Sequence, residues 1–473
     1  MTTTFTGFVH ADGDRIVDGS GNPLLLRGVG LGNWLLPEGY MWRFGDEMSS
    51  PRQIEARVLD LVGSDRAEQF WTRYLDSFIT EADVQRIATL GYDHVRLPLN
   101  SRGLITDDGE LVEAGFARVD DLIRWCRTHG LWVLLDLHGA PGGQTGTNID
   151  DSPHGKPELF MEERYRDLTV ELWRGIARRY RHETAVLGYD LLNEPIPNEW
   201  QHVFPTELID LYARLTREIR VIDPDHLIMY EGSHWATNWS IFTTVLDTNS
   251  ALQFHRYWCA PDHSSIAEYL EARDRLGLPI YMGEGGENTP EWIYAAHRLY
   301  EQHGIGWNLW PWKKLGTVTS PVSASVPHGW DVIADPDEQP EADLAWSILE
   351  SFLEAIPLAA CEERPRVVDA SLGQGELVLP AWGHLGDERD RFAGQDISTV
   401  WHHTAGEPYS EDEVLPMVLA PGEVLRFALA GEPSEWEVDG EPAGALLAQW
   451  RGDHLAVSAP VTATLRRVTA RVP

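Results

Sequence analysis

Cysteine is almost absent. Cys126, Cys259 and Cys361 are the only three among 473 residues. Three thiols cannot build a disulfide framework, and their spacing fits no metal-binding pattern. Positive charge is also scarce: 38 Lys and Arg stand against 74 Asp and Glu, a formal net charge of −36. So acidic a chain repels phosphate, which excludes a nucleic-acid partner and argues against anionic membrane surfaces. No stretch reaches the roughly 18 apolar residues of a membrane span, so no membrane insertion is expected. The opening MTTTFTGFVHADGDR lacks the basic start and apolar core of a secretory leader. A cytoplasmic location is expected, or a secreted one if a leader has been trimmed. Internal repeats and low-complexity tracts are missing too.

What is present is ordinary globular composition, 43% hydrophobic and 24% charged, with an excess of tryptophan. The 20 Trp point to core packing and to flat aromatic platforms for apolar ligand faces. From about residue 26 to 355, short β-branched apolar runs alternate with segments of helical period. The strand candidates are 26–30, 94–99, 132–137, 186–192, 227–231, 252–257, 280–284 and 306–310. Helical candidates lie between and after them at 80–90, 117–128, 164–180, 207–222, 264–276, 290–303 and 342–355. Alternation of this kind predicts a parallel sheet with helices outside, and eight units fit a closed (β/α)8 TIM barrel. An open doubly wound sheet is the alternative that the pattern alone leaves. Residues 5–9 and 15–18 form two strand-like runs around a turn-rich 11–14, a β-hairpin cover at the start of the barrel domain, 1–355. Beyond residue 356 the helical period stops. Short alternating runs at 366–368, 376–379, 424–429, 436–438, 446–450, 455–458 and 462–468 predict a C-terminal antiparallel β-sandwich domain, 356–473.

In such a barrel the chemistry sits at the C-terminal strand ends, where polar groups are costly unless they work in pairs. Two carboxylates stand out there, Glu194 after the fourth strand and Glu284 at the seventh. A carboxyl pair flanking a cleft is what glycoside hydrolysis requires: one protonated, to donate to the leaving oxygen, and one ionised, to attack the anomeric carbon. Asn193 is placed to meet a sugar 2-hydroxyl, Tyr257 to hydrogen-bond the nucleophile and His255 to hold the acid. Arg96 can keep the nucleophile ionised, and Trp310 offers a floor for a sugar ring. If the mechanism is retaining, the two carboxyls should lie about 5–5.5 Å apart.

These residues fall in motifs that, in combination, resemble glycoside hydrolase family 5, and its exo-β-1,3-glucanase-like and β-glucosidase-like members in particular. The matching stretches are Arg27-Gly28-Val29-Gly30-Leu31-Gly32-Asn33-Trp34-Leu35, Val95-Arg96-Leu97-Pro98, Asp136-Leu137-His138-Gly139-Ala140-Pro141-Gly142, Leu192-Asn193-Glu194-Pro195, His255-Arg256-Tyr257, Gly283-Glu284-Gly285 and Trp310-Pro311-Trp312-Lys313. The resemblance implies a retaining glycosidase with Glu194 as acid/base and Glu284 as nucleophile. It implies Glu38 as a contact for the terminal sugar, His138 and Trp312 as further substrate contacts, and no cofactor or metal. Two departures mark the chain: Gly285-Gly286-Glu287-Asn288 where the family often has Phe-Gly, and Lys313-Lys314-Leu315 where exo-glucanases have Lys-Thr-Glu.

The expected partner is a β-linked glycoside or oligosaccharide, with short β-glucosides attacked from one end as the first choice. β-Mannosides, disaccharide-releasing action and glycolipid substrates stay open, as does the oligomeric state. Loops at 142–157 and 315–326 are candidates to wall the cleft. Competing classes are a metal-dependent barrel using His138, His255 and Glu284, and a non-catalytic carbohydrate-binding barrel. The first lacks the early His-x-His of such enzymes, and His402-His403 is a weak metal signal. The second sits badly with the presence of both carboxylates. A nucleotide-binding reading of Gly28-Val29-Gly30-Leu31-Gly32 fails because the third glycine is misplaced and no helix opens there.

Overall fold

In the computed structural model, residues 5–379 and 417–473 are described, except 46, 47, 258, 260, 262, 423, 430 and 453. A short hairpin, β1 (His10–Asp12) and β2 (Arg15–Val17), precedes eight parallel strands. These are β3 (Arg27–Gly30), β4 (His94–Asn100), β5 (Trp132–Gly139), β6 (Val186–Asp190), β7 (Leu227–Glu231), β8 (Ser250–Arg256), β9 (Ile280–Gly286) and β10 (Gly306–Trp310). They close in chain order, β10 pairing back onto β3. The closed barrel expected from the alternation is therefore present, and the open sheet is not. Strands β4 and β5 are buried along their whole length, as strands with helices on the outer face and the packed barrel interior on the inner face must be.

The helices that do the covering are α1 (Pro51–Val62), α2 (Ser64–Ser77), α3 (Glu81–Leu90), α4 (Glu113–His129), α5 (Glu158–Met161), α6 (Glu163–Tyr180), α7 (Pro205–Arg220), α8 (Ala267–Leu276), α9 (Pro290–Gln302), α10 (Trp330–Ala334) and α11 (Ala342–Ala355). Helix α3 starts at a capping box, in which the Thr80 N–H donates to Asp83 at 2.9 Å. The other Asp83 oxygen accepts from Trp312 at 3.0 Å and pairs with Lys313 at 2.8 Å, tying this helix start to the chain beyond β10. Helices α1 and α2, absent from the sequence expectation, meet α10 and α11 around an aromatic core. Trp42 and Trp330 each lie 4.8 Å from Phe352, ring centre to ring centre, so part of the tryptophan excess is packing.

The hairpin plugs the barrel's N-terminal end. Val9 and Ile16 join Leu26, Trp132, Leu134, Leu187, Leu227, Met229, Ala251 and Tyr281 in one buried cluster. Two details differ from expectation. Residues 5–9 are not a strand; the rings of Phe5 and Phe8 pack edge-on against Trp132 and His226 instead. The turn is only Gly13-Asp14, because Ala11 and Asp12 already pair with Ile16 and Arg15.

Past the barrel, β11 (Lys313–Leu315), β12 (Val322–Ala324) and β13 (Glu362–Glu363) form a three-stranded sheet. The run at 366–368, expected as a strand, is instead helix α12 (Pro365–Leu372), with Pro365 at its first turn. It packs on α9: Ser371 meets the Tyr92 hydroxyl at 2.7 Å, and its carbonyl lies 3.1 Å from His297 Nδ1. The chain thus stays on the barrel beyond residue 356. Antiparallel sheets follow. In one, β20 (Ala463–Val472) is central, flanked by β17 (Glu435–Glu441) on one side and by β14 (Gly375–Leu379) and β15 (Met417–Leu419) on the other. In the second, β19 (His454–Ser458) runs between β16 (Val424–Ala428) and β18 (Leu447–Trp450). His402 and His403 lie outside the described residues.

Candidate active site

The C-terminal strand ends open into a cleft of about 570 Å³, lined among others by Glu38, His138, Glu194, His255, Tyr257, Glu284 and Trp310. Seven of the ten residues expected at the site therefore share one wall system. The remaining three, Arg96, Asn193 and Trp312, do not line it.

Arg96 projects from β4 into the barrel floor with no exposed surface. It is ringed by acceptors: Asp190 at 2.8 Å, Glu231 at 3.0 Å, Asp136 at 3.2 Å, the Asn193 carbonyl oxygen at 2.8 Å, and Glu284. Of these carboxylates only Glu284 also faces the cleft. Asn193 is buried, its oxygen taken by Arg96 and its nitrogen 3.3 Å from His138 Nε2. Trp312 departs furthest from expectation. Its indole is fully buried and donates to Asp83, so it fastens α3 to the barrel and offers no face to the cleft.

The two cleft carboxylates are positioned differently. A register irregularity in β8 between Phe254 and His255 brings His255 beside Glu284 on β9. Glu284 accepts from Tyr257 at 3.1 Å and from Arg96. Burial lifts its carboxyl above the ordinary value, and His255 and Arg96 pull against that rise. Glu194 follows β6 in a left-handed backbone conformation, φ 42°, costly for a side chain of this kind. Its N–H donates to Glu231 at 2.7 Å, and its carboxylate meets His255 Nδ1 at 2.7 Å. Burial disfavours a charged His255, but Glu231, Glu284 and Glu194 outweigh it and push the imidazole well above its usual range. Burial has the opposite result for His138, which is brought down to about 4. This neutral ring lies 2.7 Å from Asp136 and stacks on Trp310 with centres 5.5 Å apart and planes 7° off parallel. Glu38 is raised well above the ordinary carboxyl range, by burial first and then by Glu284, Glu287 and Glu194.

Among the described residues, Glu194, His255 and Glu284 are the one trio placed like metal ligands, each offering an atom within 4.8 Å of the others. Protein donors already serve them: His255 for Glu194, and Tyr257 and Arg96 for Glu284. An arginine in contact with Glu284 occupies the electrostatic place a cation would take, so the donor set suits proton transfer and nucleophilic attack better than ligation.

Tyr40, Asn148, Ile149, Trp235, Thr237 and Glu287 also line the cleft. Asn148 and Ile149 come from the 142–157 loop, as expected. The 315–326 loop contributes no lining residue and is spent instead on the β11–β12 sheet. Trp235 belongs to the polar cluster after β7. It sits in a run of three left-handed residues, His234, Trp235 and Ala236, and donates to Asn198 at 3.0 Å. Tyr40 carries no signal in the sequence beyond lying two residues from Glu38.

A family profile described as cellulase (glycosyl hydrolase family 5) matches residues 59–316. The chain is 30% identical to a β-xylosidase of Phanerodontia chrysosporium, over 65% of this chain and 71% of the relative. It is 31% identical to a probable glucan 1,3-β-glucosidase A of Aspergillus fumigatus, over 55% of this chain and 64% of that one. A crystal structure of an endogalactoceramidase superposes with a TM-score of 0.53 at 15% identity, covering 98% of this chain and 100% of that one, a likeness of fold.

Proposed function

Because the chain belongs to glycosyl hydrolase family 5, we propose that it cleaves β-glycosides with retention, Glu284 acting as nucleophile and Glu194 as acid/base. The observation that carries this is the unequal pair itself: an oxygen of each carboxylate lies within 4.8 Å of the other across the cleft, short of the roughly 6.5–9.5 Å between the carboxyls of inverting enzymes. In the first step a Glu284 oxygen bonds to the anomeric carbon. The carbon–oxygen bond to the leaving group breaks, and Glu194 gives that oxygen its proton. In the second, Glu194 takes a proton from water, the water oxygen bonds to the anomeric carbon, and Glu284 is released. His255 against Glu194 and Arg96 against Glu284 support this division of roles. Asn193 acts from below, through Arg96 and His138, which supports a positioning role for it.

The relatives named a β-xylosidase and a glucan 1,3-β-glucosidase support a glucosyl or xylosyl unit as the sugar released. Asn148 and Ile149, which close one side of the cleft, support attack from the end of short substrates.

The test is a pair of alanine variants assayed on 4-nitrophenyl β-glucoside and β-xyloside. Glu284→Ala should lose all turnover. Glu194→Ala should keep the first step on these activated leaving groups, and azide should restore its second step with a β-glycosyl azide as product. An α-glycosyl azide from Glu284→Ala would be compatible with the assignment. Azide rescue of Glu284→Ala through the acid/base route, to a β-azide, would reverse it.

A further inference from the structure

The two places where this chain departs from the resembling motifs meet each other in space. Glu287, just past β9, forms an ion pair with Lys314 of β11, and both are nearly sealed from water, at 5% and 2% exposure. The other Glu287 oxygen accepts from the Tyr40 hydroxyl at 3.3 Å, and Tyr40 in turn accepts from the Trp310 indole at 3.0 Å. The Lys314 ammonium sits 5.2 Å from the centre of the Tyr40 ring. Glu287, Tyr40 and Trp310 all line the cleft, whereas Lys314 stands behind them.

This arrangement is expensive. Burying both members of an ion pair costs more than an apolar pair of the same volume. Glu287 also takes a left-handed backbone, φ 48°, which strains any residue with a Cβ. The preceding Gly286 has φ 134°, and a Cβ there would come within 2.8 Å of Leu309 and 2.9 Å of the Trp310 carbonyl. Packing alone does not account for two such costs at one cleft-facing residue. Held on both oxygens, the carboxylate keeps lone pairs directed into the cleft, since each oxygen accepts two hydrogen bonds.

We propose that Glu287 is a specificity-determining residue that accepts a hydrogen bond from a hydroxyl of the sugar bound on Trp310, with Lys314 and Tyr40 as its positioning residues. The proposal rests on the glycosidase reading of the site. The Trp310 N–H donates to Tyr40 and the Tyr40 hydroxyl donates to Glu287, so the three side chains form one hydrogen-bonded stretch of the cleft wall. The ligand class is a neutral β-pyranoside with equatorial hydroxyls.

The experiment compares wild type and Glu287→Gln on 4-nitrophenyl β-glucoside and β-xyloside and on the 3-, 4- and 6-deoxy analogues of the glucoside. A charge-assisted contact predicts a loss of about 10- to 100-fold in kcat/KM for Glu287→Gln on the parent sugar. One deoxy analogue should lose a similar factor with wild type and almost nothing further with the variant. Lys314→Met should give the same pattern, more weakly. Losses that multiply independently for every analogue would overturn the contact while leaving the hydrolase reading in place. No turnover of either parent glycoside by wild type would overturn both. Glu287→Gln is nearly isosteric, and a thermal melt unchanged from wild type separates lost recognition from lost folding.

Discussion

Removing the Tyr257 hydroxyl is the cleanest way to read the nucleophile. That hydroxyl donates to Glu284 at 3.1 Å, so it favours the ionised carboxylate over the acid. Burial and the nearby Glu284 and Glu287 charges raise the phenol's own pKa well above its usual value, so it stays a donor through the assay range. A hydrogen bond to a charged group contributes about 1.5–3 kcal/mol. At about 1.4 kcal/mol per pKa unit, Tyr257→Phe should raise the pKa governing Glu284 by about one to two units. The sign follows from the chemistry: the nucleophile works ionised, so activity is lost on the acid side as Glu284 takes a proton, and a higher pKa moves that limb to higher pH. The assay is kcat/KM against pH on an aryl β-glucoside for both proteins. The displacement is read on the apparent acid limb. An acid limb that stays put in a folded Tyr257→Phe protein would refute the claim that this hydroxyl stabilises the working carboxylate.

Arg96→Met should be unfolded or lower the melting temperature sharply. It strips the partner from four carboxyls around a side chain with no exposure, and breaking buried pairs costs about 3–5 kcal/mol. Calorimetry checks this before any kinetics is attempted. Trp310→Leu and Trp312→Leu should both lose about 3 kcal/mol of stability, since both indoles are buried, but only Trp310→Leu should also raise KM, because only Trp310 lines the cleft.

The barrel was readable because its strands are continuous apolar runs and its helices amphipathic, a contrast set by burial on both faces of the sheet. Most strand starts matched within two residues. The fourth strand ends at Asp190 and not at 192, because Glu194 turns left-handed shortly afterwards to reach the cleft. Helices α1 and α2 carry a regular buried stripe, Ile54, Val58 and Leu61 in the first and Ala67, Phe70 and Tyr74 in the second, but they stand outside the strand–helix alternation that marks the rest of the barrel. The run 366–368 misled because Arg366, Val367 and Val368 favour a strand on their own, while Pro365 and the packing against α9 make it a helix. The carboxylate pair was visible because Leu192-Asn193-Glu194-Pro195 and Gly283-Glu284-Gly285 stand in motifs; a strand-end position alone does not single it out, since Asp190 and Glu231 end strands too. What the sequence does not show is that Asp190, Glu231 and Gln253 complete the floor, because they reach Arg96, Glu194 and His255 only once the barrel closes. Trp312 was misassigned for a related reason: two residues apart, it would share a face with Trp310 in a continuous strand, but β10 ends at Trp310 and the chain turns before β11 begins at Lys313, which carries the Trp312 indole to Asp83 instead.

Four carboxyls crowd Arg96, and the charges have to balance. The floor holds two cations, Arg96 and the charged His255. Against them stand Glu284 and Glu231, the latter held below its ordinary range because His255 and Arg96 outweigh burial. Burial pushes Asp136 up to about 8 despite Arg96, and lifts Asp190 well above the carboxyl range with Glu231 adding to the rise. Asp190 Oδ1 has no hydrogen-bond partner, which leaves room for a proton. Keeping Asp136 and Asp190 toward their neutral forms relieves the crowding of acids around Arg96. Asp190→Asn should therefore change little, because an amide replaces an acid that already carries a proton. Its oxygen can accept from Arg96 and Gln253, as the Asp190 oxygen does at 2.9 and 2.8 Å. We expect kcat/KM within about tenfold of wild type and a melting temperature within a few degrees. Glu231→Gln removes a real negative charge beside His255 and the acceptor for the Glu194 N–H, and should cost about 100-fold or more. Equal losses in the two variants would mean that Asp190 is ionised, and that Arg96 faces three carboxylates at once.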